Sequence, residues 1–576
     1  MDYLSKDVYE FIAQQMNDPI IERKTCEASG QPFAIFQSDK DFYKKVAPMI
    51  NGKKMSMPLP RLCPEERQRR RLCLRNERKL YRRQCDFSGK NMISTYSPDK
   101  QYKVYQQDIW ESDKRDGLAR WMEFDFSKAF TEQFQALHTK IPVQWLISQY
   151  NENCDYTSIC GYCKNCYLLT ASENSEDCFY GHVIQTCKDV IDCCFAFDSE
   201  RSYGCVDIKK CFNCFYAVNC YNSHDCYYTV NLENCDHCFL SNNLSNQSYM
   251  FENKQLSKED YQEKVKDFLA HRPLSSEHLQ RVMQEAYYKN LVGYRNEHAF
   301  GNTINDSKDV VLSVDVDKWE NVRYCQIAVD GDNLMDCSNV YIANHLSYQV
   351  MSALSTNNNL FSGFIYNCDH VLLSYNCNSC SFLFGCSGLK NQKYCIFNTQ
   401  YTPADYEKTV DRIIDHLHTT GERGEFFNSQ IAFFGYNETV AQDYMPLTKE
   451  EAVNKGFKRS DYEEPFPQVA TLLQASELPD IQHVKNDILQ QAIVCEVTGK
   501  PFRVIQQELD FYRAHNIPLP KRHPEQRYTD RMWRRPGRWI YLRTCDSCGV
   551  KMLSGYKQED PYTVYCEVCY TKKIYW

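Results

Sequence analysis

Between Cys154 and about Asn253 one short phrase keeps returning: NCYLL, DCFYG, CCFAF, NCFYAV, DCYYTV, HCFLS. A chain that repeats itself this closely stacks copies of one small unit, each covering its neighbour's apolar side. Cysteines stand twenty-one residues apart at Cys166 and Cys187, Cys193 and Cys214, Cys205 and Cys226, and Cys214 and Cys235. That spacing sets a repeat length in the twenties. The β-prone triplets are separated by Asn, Asp and Ser, which reads as strand and turn rather than helix. The expected fold is mainly β, a parallel β-helix with cysteine and aromatic ladders stacked inside at the spacing of neighbouring strands, about 4.8 Å.

A second such stretch runs from about Asp309 to Asn398, and the two end alike, in Leu244-SNQSYMFEN and Leu389-KNQKYCIFN, with Tyr261 and Tyr406 in matched places. Ser257-KED and Thr402-PAD then read as capping boxes that open helices, with Pro403 in the first turn. The solenoid is therefore duplicated, with helical segments at about 257–290 and 403–418.

The two ends of the chain are also copies of each other. CEASGQPFAIFQSDKDFY from Cys26 answers CEVTGKPFRVIQQELDFY from Cys495, Pro58-Leu59-Pro60 answers Pro518-Leu519-Pro520, and Tyr81, Arg83 and Cys85 answer Tyr541, Arg543 and Cys545. The C-terminal copy holds Cys545-x2-Cys548, seventeen residues, then Cys566-x2-Cys569. Two such knuckles supply four thiolates able to close a tetrahedron round one metal ion, and no position is left open, so the metal is structural. Zinc in a zinc-ribbon module is the expectation; a rubredoxin-like iron site is the alternative. The segments 551–553 and 562–565 between the knuckles read as strands. In the N-terminal copy Ser88, Gln106 and Ile109 stand where three of the ligands would be, so that module is degenerate and held by its core. Cys26 and Cys495 each begin a C-x2-[ST]-G turn like a decayed knuckle, and a second metal at Cys495 and His523 stays open. The domain reading is 1–125 degenerate module, 126–150 linker, 151–255 first solenoid, 256–300 helical insertion, 301–400 second solenoid, 401–480 helix and linker, and 481–576 zinc-ribbon module.

Each module carries an arginine series, Arg67, Arg71, Arg75 and Arg78 in one and Arg527, Arg531, Arg535 and Arg538 in the other. Spacings of four, four and three put each series on one face of a helix. Residues 61–83 and 513–543 each carry a net charge of +7, which leaves −22 on the remainder of a chain whose total is −8. Guanidinium forks suit phosphate oxygens, and Tyr81, Tyr528, Trp533, Trp539 and Tyr541 add stacking groups nearby. Nucleic acid is the first reading of these faces, pairing with acids of the solenoid inside the protein the second, and an acidic protein partner the third.

The chain has 31 cysteines. Its first residues lack a charged stretch followed by an apolar run, and no stretch is long and apolar enough to span a membrane, so a cytoplasmic protein with reduced thiols is expected. Cys160-x2-Cys163-x2-Cys166 is the opening of a ferredoxin-type run without its fourth cysteine and proline. Cysteines set inside the coils are the plain reading of it; additional zinc or an iron–sulfur cluster are the alternatives. No P-loop, HExxH or GxSxG is present. Asp236-His237 and Asp369-His370 recur within the repeats and read as coil corners before they read as a site.

The pattern CxxTGKPFRVxxQELxFY…PLPxxHPxxR…CxxCG…YCExCY, with a cysteine-rich β-repeat ending in KNQxYCIFN, resembles a large uncharacterised group of proteins from candidate-phyla (Patescibacteria-type) bacteria. The resemblance covers most of the chain and implies a bacterial cytoplasmic protein with zinc-ribbon ends; it implies no particular activity. The expected function is a non-enzymatic zinc-binding scaffold for nucleic acid or a ribonucleoprotein. The alternative is a protein-interaction scaffold with its basic faces docked on acidic partners or on its own solenoid. A β-helix carbohydrate-active enzyme ranks third, on analogy of fold alone.

Overall fold

From Tyr150 to Asn253 the backbone enters the left-handed region at every third residue with few interruptions, as at Asn213, Tyr216, Asn219, Asn222, Asp225 and Tyr228. Asn and Asp recur there because their short polar side chains tolerate that conformation best among non-glycine residues. Four such corners close one coil of twelve residues. The parallel pairing fixes that length: Ser158 lies beside Thr170, Cys194 beside Val206 and Val230 beside Asn242. The structure, a computed structural model, describes residues 5–272, 274–465, 469 and 471–575.

The twenty-one-residue repeat expected from the cysteine spacing is thus corrected. The coil is twelve residues and the underlying unit is a triplet, so any multiple of three puts two cysteines in phase. The residue after each corner points inward. The inward series includes Cys154, Cys160, Cys163, Cys166, Cys178, Cys187, Cys193, Cys205, Cys211, Cys214, Cys220, Cys226, Cys235 and Cys238, all but Cys154 buried. The ladders inside are cysteines with Ser, Ala, Val, Ile and Leu; the aromatics stand outside. A bore enclosed by twelve residues has room only for small side chains, and it also traps backbone N–H groups that need acceptors. Ser and Cys meet both demands. The N–H groups of Cys187, Cys211 and Cys235 donate to the hydroxyls of Ser175, Ser199 and Ser223 one coil earlier, at 3.3, 3.1 and 3.2 Å. The Cys166 thiol donates to the Lys164 carbonyl at 3.2 Å. The Cys160–Cys163–Cys166 run is three successive inward triplets.

The second solenoid, from Gly293 to Asn398, follows the same rule; its first coil pairs at eleven residues, Glu297 beside Lys308, and the twelve-residue pairing then sets in, for example Met351 beside Gly363. Opposite Val329 and Gly331 the next strand carries one extra residue, between Tyr341 and Asn344, which moves the inward phase by one residue, from Cys325 and Cys337 to Cys368, Cys377 and Cys386. Trp319 fills the bore here because Gly331 stands one coil on; a Cβ at Gly331 would lie 2.4 Å from the indole. Both solenoids close alike. Asn253 accepts the Asn242 N–H at 2.8 Å, and Asn398 accepts the Ser387 N–H at 3.0 Å. A short antiparallel return, Lys254–Gln255 or Thr399–Gln400, covers the last strand and hides its edge. The helices Lys258–His271 and Pro403–Thr419 follow, capped by Ser257 and Thr402 as expected, with Tyr261 and Tyr406 on their buried faces. Ser276–Glu285 supplies a further helix.

The end modules share one hairpin and one docking strand, although the N-terminal copy carries an extra hairpin at Met49–Ile50 and Lys53–Lys54. Tyr81–Gln84 pairs with Asn91–Ser94, and Tyr541–Thr544 with Lys551–Ser554, in the same antiparallel register. Val104–Tyr105 then runs parallel to Val143–Gln144 at the entry of the first solenoid, and Thr563–Tyr565 parallel to Tyr287–Lys289 at the entry of the second. Among the described residues no helix is long and apolar enough to cross a membrane.

Candidate metal centre and arginine seam

The knuckle at Cys545 turns through Gly549, whose φ of +73° needs no Cβ, and the Gly549 N–H returns to the Cys545 carbonyl at 2.9 Å. The Cys566 N–H reaches the Cys545 sulfur at 3.2 Å, and the Cys548 and Cys566 sulfurs lie 3.8 Å apart. The sulfurs of Cys545, Cys548, Cys566 and Cys569 all stand within 4.8 Å of one another. Burial alone would raise the Cys545 thiol, but N–H groups of Cys566, Cys548 and Ser547 outweigh it and bring the group down to about 6, while burial and the neighbouring sulfurs push Cys566 up to about 12. The four sulfurs are placed to hold a metal ion.

The N-terminal copy keeps the knuckle and closes it with hydrogen bonds. The Gln106 N–H reaches the Cys85 sulfur at 3.5 Å, as Cys566 does for Cys545. The Ser88 hydroxyl donates to the Gln106 side-chain carbonyl at 3.0 Å, and Ile109 is buried. Two of the three lost ligands have become each other's partners. Cys26, Cys63, Cys495 and His523 join no group of three or more ligands among the described residues.

The arginines face inward. The helices Pro64–Leu72 and Pro524–Met532 carry only the first two of each series; Arg75, Arg78, Arg535 and Arg538 lie on the loops that follow, which corrects the single helix face expected from spacing. Seven of the eight are buried, and Arg78 is largely covered. Arg67 meets Asp336 at 2.8 Å, and Arg71 lies 3.8 Å from the same carboxylate. In the other module Arg527 and Arg531 converge on Asp192, the latter at 2.6 Å. Arg535 ties Asp207 of the first solenoid to Asp315 of the second. Arg538 donates to Gln326 at 2.8 Å and stacks over Tyr444, and Arg75 pairs with Glu77 and Ser352. Arg78 stacks over Tyr528 and pairs with Glu525 at 3.0 Å, so the two modules also hold each other. Of the second reading of these faces, pairing inside the protein, this is the geometry.

One signal in the sequence announces these acceptors only in hindsight. Asp192 and Asp336 precede Cys193 and Cys337 as corner residues do, yet their carboxylates are buried rather than solvated. Asp39 and Glu508 occupy matched places in the two modules. Each closes the start of a helix, Asp39 accepting the Phe36 N–H at 3.0 Å and Glu508 the Ile505 N–H at 3.4 Å. Burial raises both carboxyls despite Arg323 beside the first and Arg527 beside the second.

Among the described residues Asp369 and His370 form an ion pair only with each other, at 2.7 Å. A groove of about 810 Å³ lies along the Tyr81–Gln84 hairpin, lined by Arg82, Arg83, Asp86, Met92 and Ile93 among others. Its carboxylate, Asp86, is committed to Arg83 at 3.0 Å and to the Val104 N–H at 2.7 Å. Among the described residues no pair of free carboxylates of the glycosidase kind lines it. The chain matches no protein-family model and no curated protein.

Proposed function

We propose that this chain is a non-enzymatic scaffold in which two end modules, one held by zinc, clamp two β-solenoids into a single rigid body that presents their outer faces to a protein partner. The observation that carries the reading is the orientation of the eight arginines: they are engaged by Asp192, Asp207, Asp315, Asp336, Glu77, Glu525 and Gln326 within the chain. A phosphate backbone would have to displace those buried ion pairs, so the geometry supports the interaction scaffold over the nucleic-acid scaffold. Four thiolates with no open position suit a structural Zn²⁺. The cysteines, all unbridged, suit a reducing compartment such as a bacterial cytoplasm.

The test is native purification with and without nuclease, followed by cross-linking and metal analysis. One zinc per chain with defined protein partners that survive nuclease supports the reading. RNA or DNA that leaves at high salt, from a protein whose arginine series remains docked by hydrogen exchange, overturns the partner class and restores nucleic acid through another surface.

A further inference from the structure

On the outer face of the first solenoid the residues just before the corners form a charged column, and its early members compensate one another. Lys164 lies 3.9 Å from Glu152 and Lys188 lies 3.2 Å from Glu176. Farther along, Phe212 breaks the alternation after Glu200, His224 and Asp236 follow, and the neighbouring corner column brings in Asp225 and His237. Asp225 sits one coil below His237, and both are left-handed corners, with φ of 52° and 51°. One ligand atom from each of Asp225, Asp236 and His237 falls within 4.8 Å of the others. Asp225 forms no ion pair with Lys or Arg among the described residues, and Asp236 pairs only with the imidazole, at 2.8 Å. Two carboxylates this close without a cationic side chain leave a negative site that an imidazole alone neutralises only when protonated.

The supports are stiff. Asn213 donates to one oxygen of Asp225 at 2.5 Å. The His237 ring packs against Tyr249 and Tyr261, at centroid distances of 5.0 and 6.0 Å, and the two tyrosines touch each other at 5.8 Å. The fold itself does not require these residues. Aligning the two solenoid endings puts His370, Ser381 and Phe382 at the matched positions of the second solenoid, where the same coil closes without the set.

We propose that Asp225, Asp236 and His237 form a second metal site, distinct from the cysteine cluster, that binds a divalent transition-metal cation. One imidazole and two carboxylates select a borderline ion such as Zn²⁺, Co²⁺ or Ni²⁺ over Mg²⁺ and Ca²⁺, which take oxygen alone. Three protein ligands leave coordination positions open to water or to a side chain of a partner, unlike the closed four-thiolate set.

The experiment titrates Co²⁺ into full-length protein whose cysteine cluster already holds its native metal, followed by calorimetry and absorption. The expected result is one further equivalent without thiolate-to-cobalt charge-transfer bands, resisting excess Mg²⁺ and Ca²⁺. Asp225→Asn and His237→Phe, the latter the residue that the second solenoid carries at its matched position, should melt like the parent and bind on the order of 100-fold more weakly. No equivalent beyond the cluster, an equivalent that survives both variants unchanged, or one that Ca²⁺ displaces as readily as Zn²⁺ does, would each overturn the site.

Discussion

Asp192→Asn isolates what holds the C-terminal module to the first solenoid. Asp192 sits at a left-handed corner with φ of 53°, where Asn fits equally well, so the substitution changes charge and little else. Its carboxylate receives Arg527 and Arg531. Arg527 keeps Glu508 at 3.2 Å and the Tyr512 hydroxyl at 3.0 Å, whereas Arg531 is left with the Tyr180 carbonyl at 3.0 Å and no other carboxylate among the described residues. The loss is therefore one uncompensated buried guanidinium, not two, and the expected destabilisation is about 3–5 kcal/mol. Urea unfolding measures it, and hydrogen exchange over 524–535 shows whether the module undocks before the solenoid melts. Adding Arg531→Met removes the stranded charge, and the double variant should recover to within about 1 kcal/mol of the parent, because a packed apolar side chain replaces a buried ion pair at little cost. A single variant that loses under about 1 kcal/mol, or a double variant no better than the single, would refute the view that this buried network sets the docking.

Removing the proposed zinc by chelation, or replacing Cys566 with Ser, should speed exchange at Thr563–Tyr565 and at its partner strand Tyr287–Lys289 while leaving Val104–Tyr105 in the N-terminal module unchanged. Inside the bore, Cys211→Ser should alter stability by less than about 1 kcal/mol, since Ser already alternates with Cys in that column, whereas Cys211→Leu should destabilise by about 1–3 kcal/mol through overpacking; thermal melts separate the two. His138 is buried and its ring is depressed to about 3, first by burial and then by Lys458, and His182 is depressed by burial and by Arg78 and its neighbours. The unfolded chain binds those protons below about pH 6.5 and the folded chain does not, so stability is complete above that pH and falls as the pH drops toward 3, by up to about 1.4 kcal/mol per pH unit for each histidine. Urea midpoints at pH 7 and pH 5 check the slope, and His138→Phe, stacked on Phe433 in the same way, should reduce it by one proton.

The solenoid, its duplication and the four-cysteine cluster were legible in the sequence because each rests on local chemistry. The coil length was not. Counting from one cysteine to another gives multiples of three without saying which multiple is a coil, and the better signal was the residue before the cysteine. Asn153, Asn165, Asp177, Asp192, Asn213, Asp225 and Asn234 each precede an inward Cys and each is a left-handed corner. The arginine series misled for a different reason. A basic face on a helix reads the same whether it meets water, phosphate or a buried carboxylate, and the solenoid acids that receive it lie more than 200 residues away in sequence, as Asp336 does from Arg67. Their docking is a long-range fact that helical periodicity does not carry. The helix also stops at Leu72 and Met532, so half of each series reaches its partner from a loop.

The two modules are crossed, and the crossing gives the metal proposed for the four-cysteine cluster a structural reason. The N-terminal module pairs its last strand with the entry of the first solenoid but sends Arg67 and Arg71 to Asp336 on the second. The C-terminal module pairs with the entry of the second solenoid but sends Arg527 and Arg531 to Asp192 on the first. Each module therefore spans both solenoids, and Arg78 against Glu525 and Tyr528 closes the pair. Neither solenoid can move against the other without breaking a strand pairing or a buried ion pair at both modules. The N-terminal strand is followed by residues that pack into the large core shared with the second solenoid, from Phe130 and Phe134 to Phe397, and that packing holds it. The C-terminal strand is followed by the helix Glu567–Tyr575, whose Cys569 is a member of the cluster. An ion bound there fastens the helix and the strand to the knuckle at once, which supplies at the C-terminal module the constraint that core packing supplies at its copy.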